Sequence, residues 1–104
     1  MIAEVRIYTM NKGMLDSFVK LWNEQLAPIH QQYGLKILGA WVNRPQNEFV
    51  WIRVFEDEAD REQKTKAYMN SPERKAIGDA PQRHEAKIEV RVVEDVFAPV
   101  ISSV

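Results

Sequence analysis

The chain has 104 residues, of which 45% are hydrophobic and 28% charged, and its formal net charge is −1. This length and composition predict a single domain over residues 1–104, and the near-neutral charge predicts no nucleic-acid or membrane partner. The absence of cysteine excludes disulfides, thiol nucleophiles and thiolate metal sites. The first six residues are already strand-like and charged, unlike a signal peptide, and no apolar run could span a bilayer, so we expect a cytoplasmic protein.

Residues 2–9 alternate in character and predict the first strand. One face of this strand is dry, and the other carries Glu4, Arg6 and Tyr8. The strand predicted over residues 48–55 has two faces of the same kinds.

A long amphipathic helix is predicted over residues 14–33, since apolar residues recur there every three or four positions. Gly34 is expected to end it as a left-handed C-cap. Pro28 cannot donate a backbone hydrogen bond, so we expect a kink or a restart near Ala27. The predicted buried stripe consists of Leu15, Phe18, Val19, Trp22, Leu26, Ile29 and Tyr33.

The next part of the chain predicts a hairpin, with strands Lys36–Asn43 and Glu48–Phe55 joined by a turn at residues 44–47. The sequence does not fix the register of this hairpin. Trp41 could therefore lie on either face, and we place it on the side of the predicted pocket.

Two helices and a last strand are predicted after the hairpin. Asp57 is a suitable N-cap for a surface helix over Glu58–Met69, and Ser71 with Pro72 begins a short helix that ends near Gly78. Residues 80–84 are predicted to be a loop and residues 87–96 the fourth strand. The apolar tail, residues 97–104, is expected to lie on a neighbouring surface.

The order βαββαβ predicts an α+β, ferredoxin-like antiparallel sheet with its helices on one face. In the Glu48–Phe55 strand, Val50, Ile52 and Val54 are expected to pack under those helices. The opposite face would then lie away from the helices and border an enclosed space that a second copy of the chain partly closes. That face consists of Phe49, Trp51, Arg53 and Phe55.

Arg6 and Arg53 are the most informative polar residues, because each lies among aromatic residues of its own strand face. Guanidinium groups in such surroundings bind carboxylates or stack on rings, which predicts a site for an anion or a carbonyl group. The alternative is an internal ion pair with Glu4 or Glu89. The candidate ligand-binding residues are Arg6, Tyr8, Trp41, Trp51 and Arg53.

No catalytic motif is present, so no catalytic residue can be named, and neither a metal site nor a cofactor is expected. His30 is predicted to lie at a helix edge and to bond a backbone carbonyl, in preference to a proton-transfer role. His84 is predicted to be solvated in a loop.

Several short motifs, in this order and spacing, resemble the NIPSNAP family. They comprise residues 4–8, the turn ending at Gly13, the helix with Trp22 and Pro28, the Tyr33–Gly34 pair, residues 38–41, the strand with Trp51, and residues 71–73. The resemblance covers about residues 3–95. It implies membership of the dimeric α/β-barrel superfamily, in which two ferredoxin-like subunits join their sheets into one barrel. Cofactor-independent monooxygenases, haem-degrading enzymes and small isomerases belong to that superfamily, whereas NIPSNAP proteins have no settled activity.

The sequence and the resemblance together predict a homodimer, of uncertain enzymatic activity, that binds a small anionic or aromatic ligand in a pocket between sheet and helices. The alternative is a cofactor-independent monooxygenase or isomerase that acts on a small oxygenated aromatic substrate. A pocket beneath the helices and an enclosed space on the helix-free face are different placements of the same residues, and the structure decides between them.

Overall fold

The computed structural model describes residues 1–97, in which four strands form one antiparallel sheet. The strands are β1 (Ile2–Met10), β2 (Lys36–Asn43), β3 (Glu48–Phe55) and β4 (Glu85–Glu94). Their order across the sheet is β2-β3-β1-β4, so the first and third strands are the central neighbours. This is the predicted ferredoxin-like α+β fold. Of the predicted tail, residues 98–104 lie outside the described part.

The predicted first helix is continuous but contains one wide turn. It comprises α1 (Leu15–Leu21), a π-helical turn (Trp22–Leu26) and α2 (Ala27–Gln32). The Ala27 N–H bonds the carbonyl of Trp22, five residues back. The wide turn immediately precedes Pro28, which has no N–H and would crowd a regular turn. The irregularity predicted near Ala27 is therefore a π-helical turn, and the helix does not restart there.

The predicted caps after the hairpin are also confirmed. The helix α3 (Glu58–Met69) begins where the Asp57 side chain accepts a hydrogen bond from the Asp60 N–H, at 2.8 Å. The helix α4 (Pro72–Ile77) begins where Ser71 accepts from the Arg74 N–H, at 3.1 Å.

The prediction of a loop at residues 80–84 was wrong. These residues form the short helix α5 (Ala80–His84), and β4 begins directly after it, at Glu85. A proline in the first turn of a helix is tolerated, because its missing N–H would have no partner there. His84 was predicted to be solvated but is partly buried, with its Nδ1 2.7 Å from the Ala80 carbonyl oxygen and its Nε2 2.8 Å from the Ser17 hydroxyl oxygen.

The predicted assignment of the two sheet faces was also wrong. The helices pack on the aromatic face, where Phe18 and Trp22 meet Phe49 and Trp51. Large rings bury more apolar area than branched residues do, and the buried Glu4 carboxylate of this face pairs with Arg6 and Arg53. Val50, Ile52 and Val54 therefore alternate onto the opposite face, where Val50 and Ile52 are partly buried and Val54 is buried.

The open sheet face, which no described helix covers, carries Trp41. Trp41 lies opposite Val50 across the β2–β3 pair, and 52% of its surface is exposed. A Cβ atom at Gly39 would lie 2.5 Å from the Trp41 ring, so the ring lies across the glycine backbone. In residues 1–97, no helix has both the length and the apolar character required to cross a membrane.

Candidate functional site

A cavity of about 150 Å³ lies between the aromatic face of the sheet and the helices. Four of the five predicted site residues, Arg6, Tyr8, Trp51 and Arg53, line it together. The fifth, Trp41, lies on the open face, so its predicted placement beside the pocket was wrong. The other lining residues are Phe18, Trp22, Leu26, His30, Tyr68, Met69, Arg74, Pro81, Gln82, Glu85 and Ile88.

The carboxylate of Glu4 joins three arginines beside this cavity. Its Oε1 accepts from Arg6 at 2.6 Å and from Arg53 at 2.9 and 3.0 Å, and its Oε2 accepts from Arg61 at 2.7 Å. Burial alone would raise the pKa of Glu4, but the charge of Arg53 and the bonds from Arg61 and Arg6 hold that pKa below its usual value. The internal ion pair proposed as an alternative therefore exists, with Glu4 as its acid. Glu89 instead pairs with two neighbours on its own strand.

One carboxylate does not neutralise this many guanidinium groups. Arg61 has a second partner, Glu58, at 2.8 Å. Arg74 is buried in the cavity wall, donates to the Gly78 carbonyl at 3.0 Å, and forms no ion pair in the part of the chain described. The cavity lining therefore carries an excess of positive charge.

His30 is buried in the cavity wall, and it does not lie at a helix edge as predicted. Its Nδ1 lies 2.8 Å from the Leu26 carbonyl, as the predicted backbone bond requires. Because a carbonyl only accepts, Nδ1 is assigned the proton, and Nε2 accepts from Arg53 at 3.2 Å. Burial lowers the pKa of His30 to about 4, and nearby guanidinium charges act in the same direction. His30 is thus neutral at pH 7 and orients Arg53.

One hydrogen-bond donor of the cavity lining is available to a ligand. The hydroxyl oxygen of Tyr8 accepts from Nε of Arg6 at 2.8 Å, which leaves its own proton free to be donated. The indole Nε1–H of Trp51 has no partner among residues 1–97, but this atom is closed off from solvent and from the cavity space. Tyr8 is therefore the neutral donor that the lining offers to a bound molecule.

Glu85 is the acidic residue of the cavity lining itself, whereas Glu4 lies beside the cavity. Burial raises the pKa of Glu85 to about 7, against the opposing charges of Arg6 and Arg74. Groups whose pKa is shifted close to neutral are frequent at functional sites.

Sequence reasoning missed His30, Arg74 and Glu85 as lining residues. Arg74 belongs to a segment that predicts only a short helix, and Glu85 lies between the predicted loop (residues 80–84) and the predicted strand (residues 87–96), so no periodic signal marks them. His30 follows the stripe residue Leu26 by four positions, and that spacing could have placed it on the buried side. Within the described residues, no cluster of three or more His, Asp or Glu side chains could hold a metal ion.

Comparison with known proteins agrees with this fold. The family model named NIPSNAP matches residues 3–97. A NIPSNAP domain protein from Burkholderia xenovorans is 21% identical with a TM-score of 0.86, and the match covers 96% of this chain and 100% of that one. A NIPSNAP family protein from Agrobacterium tumefaciens is 20% identical with a TM-score of 0.86, over 96% of this chain and 98% of that one.

A more distant neighbour carries a functional description. It is described as an antibiotic biosynthesis monooxygenase, is 17% identical with a TM-score of 0.68, and is matched over 92% of this chain and 99% of its own. At this identity the likeness shows the fold alone. No curated protein matches the chain. Because the family model spans nearly all of the described residues, the chain belongs to the NIPSNAP family.

Proposed function

We propose that the protein binds a small, negatively charged, single-ring molecule in the cavity beneath the helices. The observation that carries this proposal is the excess of guanidinium groups over carboxylates in the lining. Arg6, Arg53 and Arg74 line the cavity, and Glu4 is the acid paired with the first two. A bound anion would supply the missing negative charge through charge-assisted hydrogen bonds.

The size and the rings of the cavity support a single-ring ligand. An engineered apolar cavity of about 150 Å³ accommodates benzene, which is the scale of the cavity here. Trp51 lies in its wall, with the guanidinium carbons of Arg6 and Arg53 each 5.4 Å from the ring centroid. Aromatic walls of this kind gain from offset or edge-to-face contact with a planar ligand.

The guanidinium groups differ in how free they are to bind an anion. All three guanidinium nitrogens of Arg53 already contact Glu4 or His30. Arg6 uses Nε and one terminal nitrogen for Tyr8 and Glu4. We therefore assign anion binding mainly to Arg6 and Arg74, with Tyr8 as a neutral donor, the Trp51 ring as an aromatic wall, and Arg53 as the group that holds Glu4 in place.

Isothermal titration with benzoate tests the proposal. We expect benzoate to bind at least about tenfold more tightly than benzamide, because a charged hydrogen bond contributes about 1.5–3 kcal/mol. Arg74→Met should remove this preference. Arg83→Met is the matched control, since Arg83 is exposed and outside the cavity lining.

Equal binding of benzoate and benzamide, or a preference for benzoate that survives Arg74→Met, would contradict the assignment. Arg74→Lys keeps the charge and distinguishes loss of the anion site from loss of the Gly78 contact. Binding of neither ligand would reject the single-ring class.

A second candidate function is cofactor-independent monooxygenation or isomerisation of a small oxygenated aromatic substrate. The free hydroxyl proton of Tyr8 favours it, because that proton could stabilise negative charge on a substrate oxygen. The fold shared with an antibiotic biosynthesis monooxygenase is consistent with it. Oxygen uptake with hydroquinone as the probe, without added cofactor, should exceed that of the Tyr8→Phe variant if this candidate is right.

We also propose that two copies of the chain pair through the open sheet faces. Cross-strand neighbours there are aliphatic, with Val5 opposite Ile52 and Ile7 opposite Val50, and Trp41 lies beside Val50. A continuous apolar patch of this kind is unusual on a monomer, and a second copy offers the same patch. The pairing differs from the sequence-based prediction, in which the aromatic face formed the interface. Sedimentation velocity at micromolar concentration should give a dimer, and a monomer would reject this pairing.

A further inference from the structure

The backbone turns Glu85 toward the cavity by means of a β-bulge. Thr9 lies opposite Lys87, but the next residue of β1, Met10, lies opposite Glu85, so Ala86 is the extra residue. Met10 is buried beneath the helices. Without the bulge, Glu85 would share the open face with Lys87, because side chains alternate along a strand. Bulges frequently redirect a side chain at a functional site.

The Glu85 carboxyl is held in the cavity wall without a bonded partner. The pKa of Glu85 is set by burial and by the charges of Arg6 and Arg74, and no hydrogen bond to the Glu85 carboxyl contributes. This differs from Glu4, which is fixed by three arginines and cannot take up a proton readily. Glu85 is therefore the acid of the lining that is free to exchange a proton near neutral pH.

The same cavity holds a donor that a reaction at a carbonyl requires. The Tyr8 hydroxyl accepts from Arg6, so its own proton is free for a substrate oxygen. Tyr8 lines the cavity that Glu85 lines. A proton acceptor and a free donor in one cavity match the needs of enolisation, in which a C–H bond is broken while charge develops on oxygen.

We propose that Glu85 removes a proton from the carbon next to the carbonyl of a small anionic ring ketone bound in this cavity. The proposal rests on the proposed binding function. The C–H electron pair forms the new C=C bond, and the carbonyl π electrons move to the oxygen, which accepts a hydrogen bond from Tyr8. The protonated Glu85 then returns the proton to the same carbon, or to another carbon conjugated with it, so no oxidant or cofactor is consumed. Arg74 holds the anionic substituent of the ring.

Deuterium exchange tests this step directly. The probe is 4-oxocyclohexanecarboxylate in deuterium oxide, and proton NMR follows loss of the signals next to the ketone. We expect exchange well above the buffer rate, reduced at least about 100-fold in Glu85→Gln, which keeps the size of the side chain. The rate should increase with pH and level off above about pH 7, as Glu85 ionises. The other titratable groups that face the cavity are Arg6, Arg53, Arg74, His30, Tyr8 and Tyr68.

Binding measurements separate the two proposals. Benzoate should still bind to Glu85→Gln, which shows that the variant is folded and that the anion site is intact. If benzoate binds the wild type but the ketone shows no exchange above buffer, the proton-transfer proposal is wrong and the binding function stands. If exchange persists in Glu85→Gln, another group removes the proton. If benzoate does not bind, both proposals fail, because the second depends on the first.

Discussion

At the residue scale, the polar interior depends on Glu4, which is 1% exposed and bonded to three arginines. Glu4→Gln should lower the free energy of unfolding by about 3–5 kcal/mol, because it leaves buried guanidinium charge without its acid. Arg53→Met should cost less, since Glu4 would retain Arg6 and Arg61. Urea denaturation measures both values. A larger loss for Arg53→Met would show that the arginine, and not the acid, is the centre of the cluster.

Two residues of the cavity wall should shift stability with pH in opposite directions. Glu85 has a raised pKa, about 7, so the folded state binds more protons than the unfolded state and stability falls as pH rises from about 4.5 to 7. His30 has a lowered pKa, about 4, so stability rises with pH from about 4 to 6.5. We expect the two effects to cancel largely between pH 5 and 6.5.

Single substitutions should reveal this cancellation. In Glu85→Gln, the free energy of unfolding should increase with pH between pH 5 and 6.5, because His30 then acts alone. In His30→Gln it should decrease over the same range. Thermal denaturation at several pH values checks both. Parallel profiles for the two variants would mean that at least one of the two groups does not titrate as described.

The sequence reveals part of the site at this scale. Four lining residues could be grouped from the sequence, because alternation puts them on the same faces of strands that become neighbours. They are Arg6, Tyr8, Trp51 and Arg53. Glu85 could not be found, since the bulge that redirects it depends on pairing with Met10. Trp41 was misplaced because an irregularity between Ile37 and Gly39 changes the register of its strand, and no local signal marks it.

At the scale of elements, the π-helical turn places Trp22 against the sheet. Its ring lies 4.6 Å from that of Trp51 and 5.1 Å from that of Phe49, centroid to centroid. Trp22→Ala should therefore lower the free energy of unfolding by about 3–5 kcal/mol. Trp41→Ala is the matched control, because Trp41 is half exposed and should cost far less in the monomer. Urea denaturation at low protein concentration measures both, and similar losses would contradict the core role of Trp22.

The helices and strands could be located from sequence far better than the packing between them. The N-caps Asp57 and Ser71 mark helix starts with side chains that bond their own backbone, and that signal is local. Which sheet face meets the helices is not local. Both faces of β3 are apolar enough to be buried, and the difference depends on how Arg53 is neutralised by Glu4 from another strand.

At the scale of the whole molecule, the open sheet face should decide the state of association. Ile52→Lys places a charge among aliphatic side chains of that face and should convert a dimer to a monomer, because it would bury an unpaired ammonium group. Met69→Lys is the control, since Met69 is 49% exposed and lies on α3, away from that face. Sedimentation velocity of both variants checks this. A dimer that persists in Ile52→Lys would place the interface elsewhere.

The position of β1 in the centre of the sheet also affects how the chain acquires its structure during synthesis. Of the four strands, β1 leaves the ribosome first, yet its partners are β3 and the distant β4. Pairings so far apart in sequence form slowly, because a long loop must close first. Until β4 is translated, β1 has one unpaired edge, and Glu4 lacks Arg53 and Arg61 until their segments emerge. The sheet is therefore expected to remain unfolded until β4 has been made, and its segments are open to chaperones for that period.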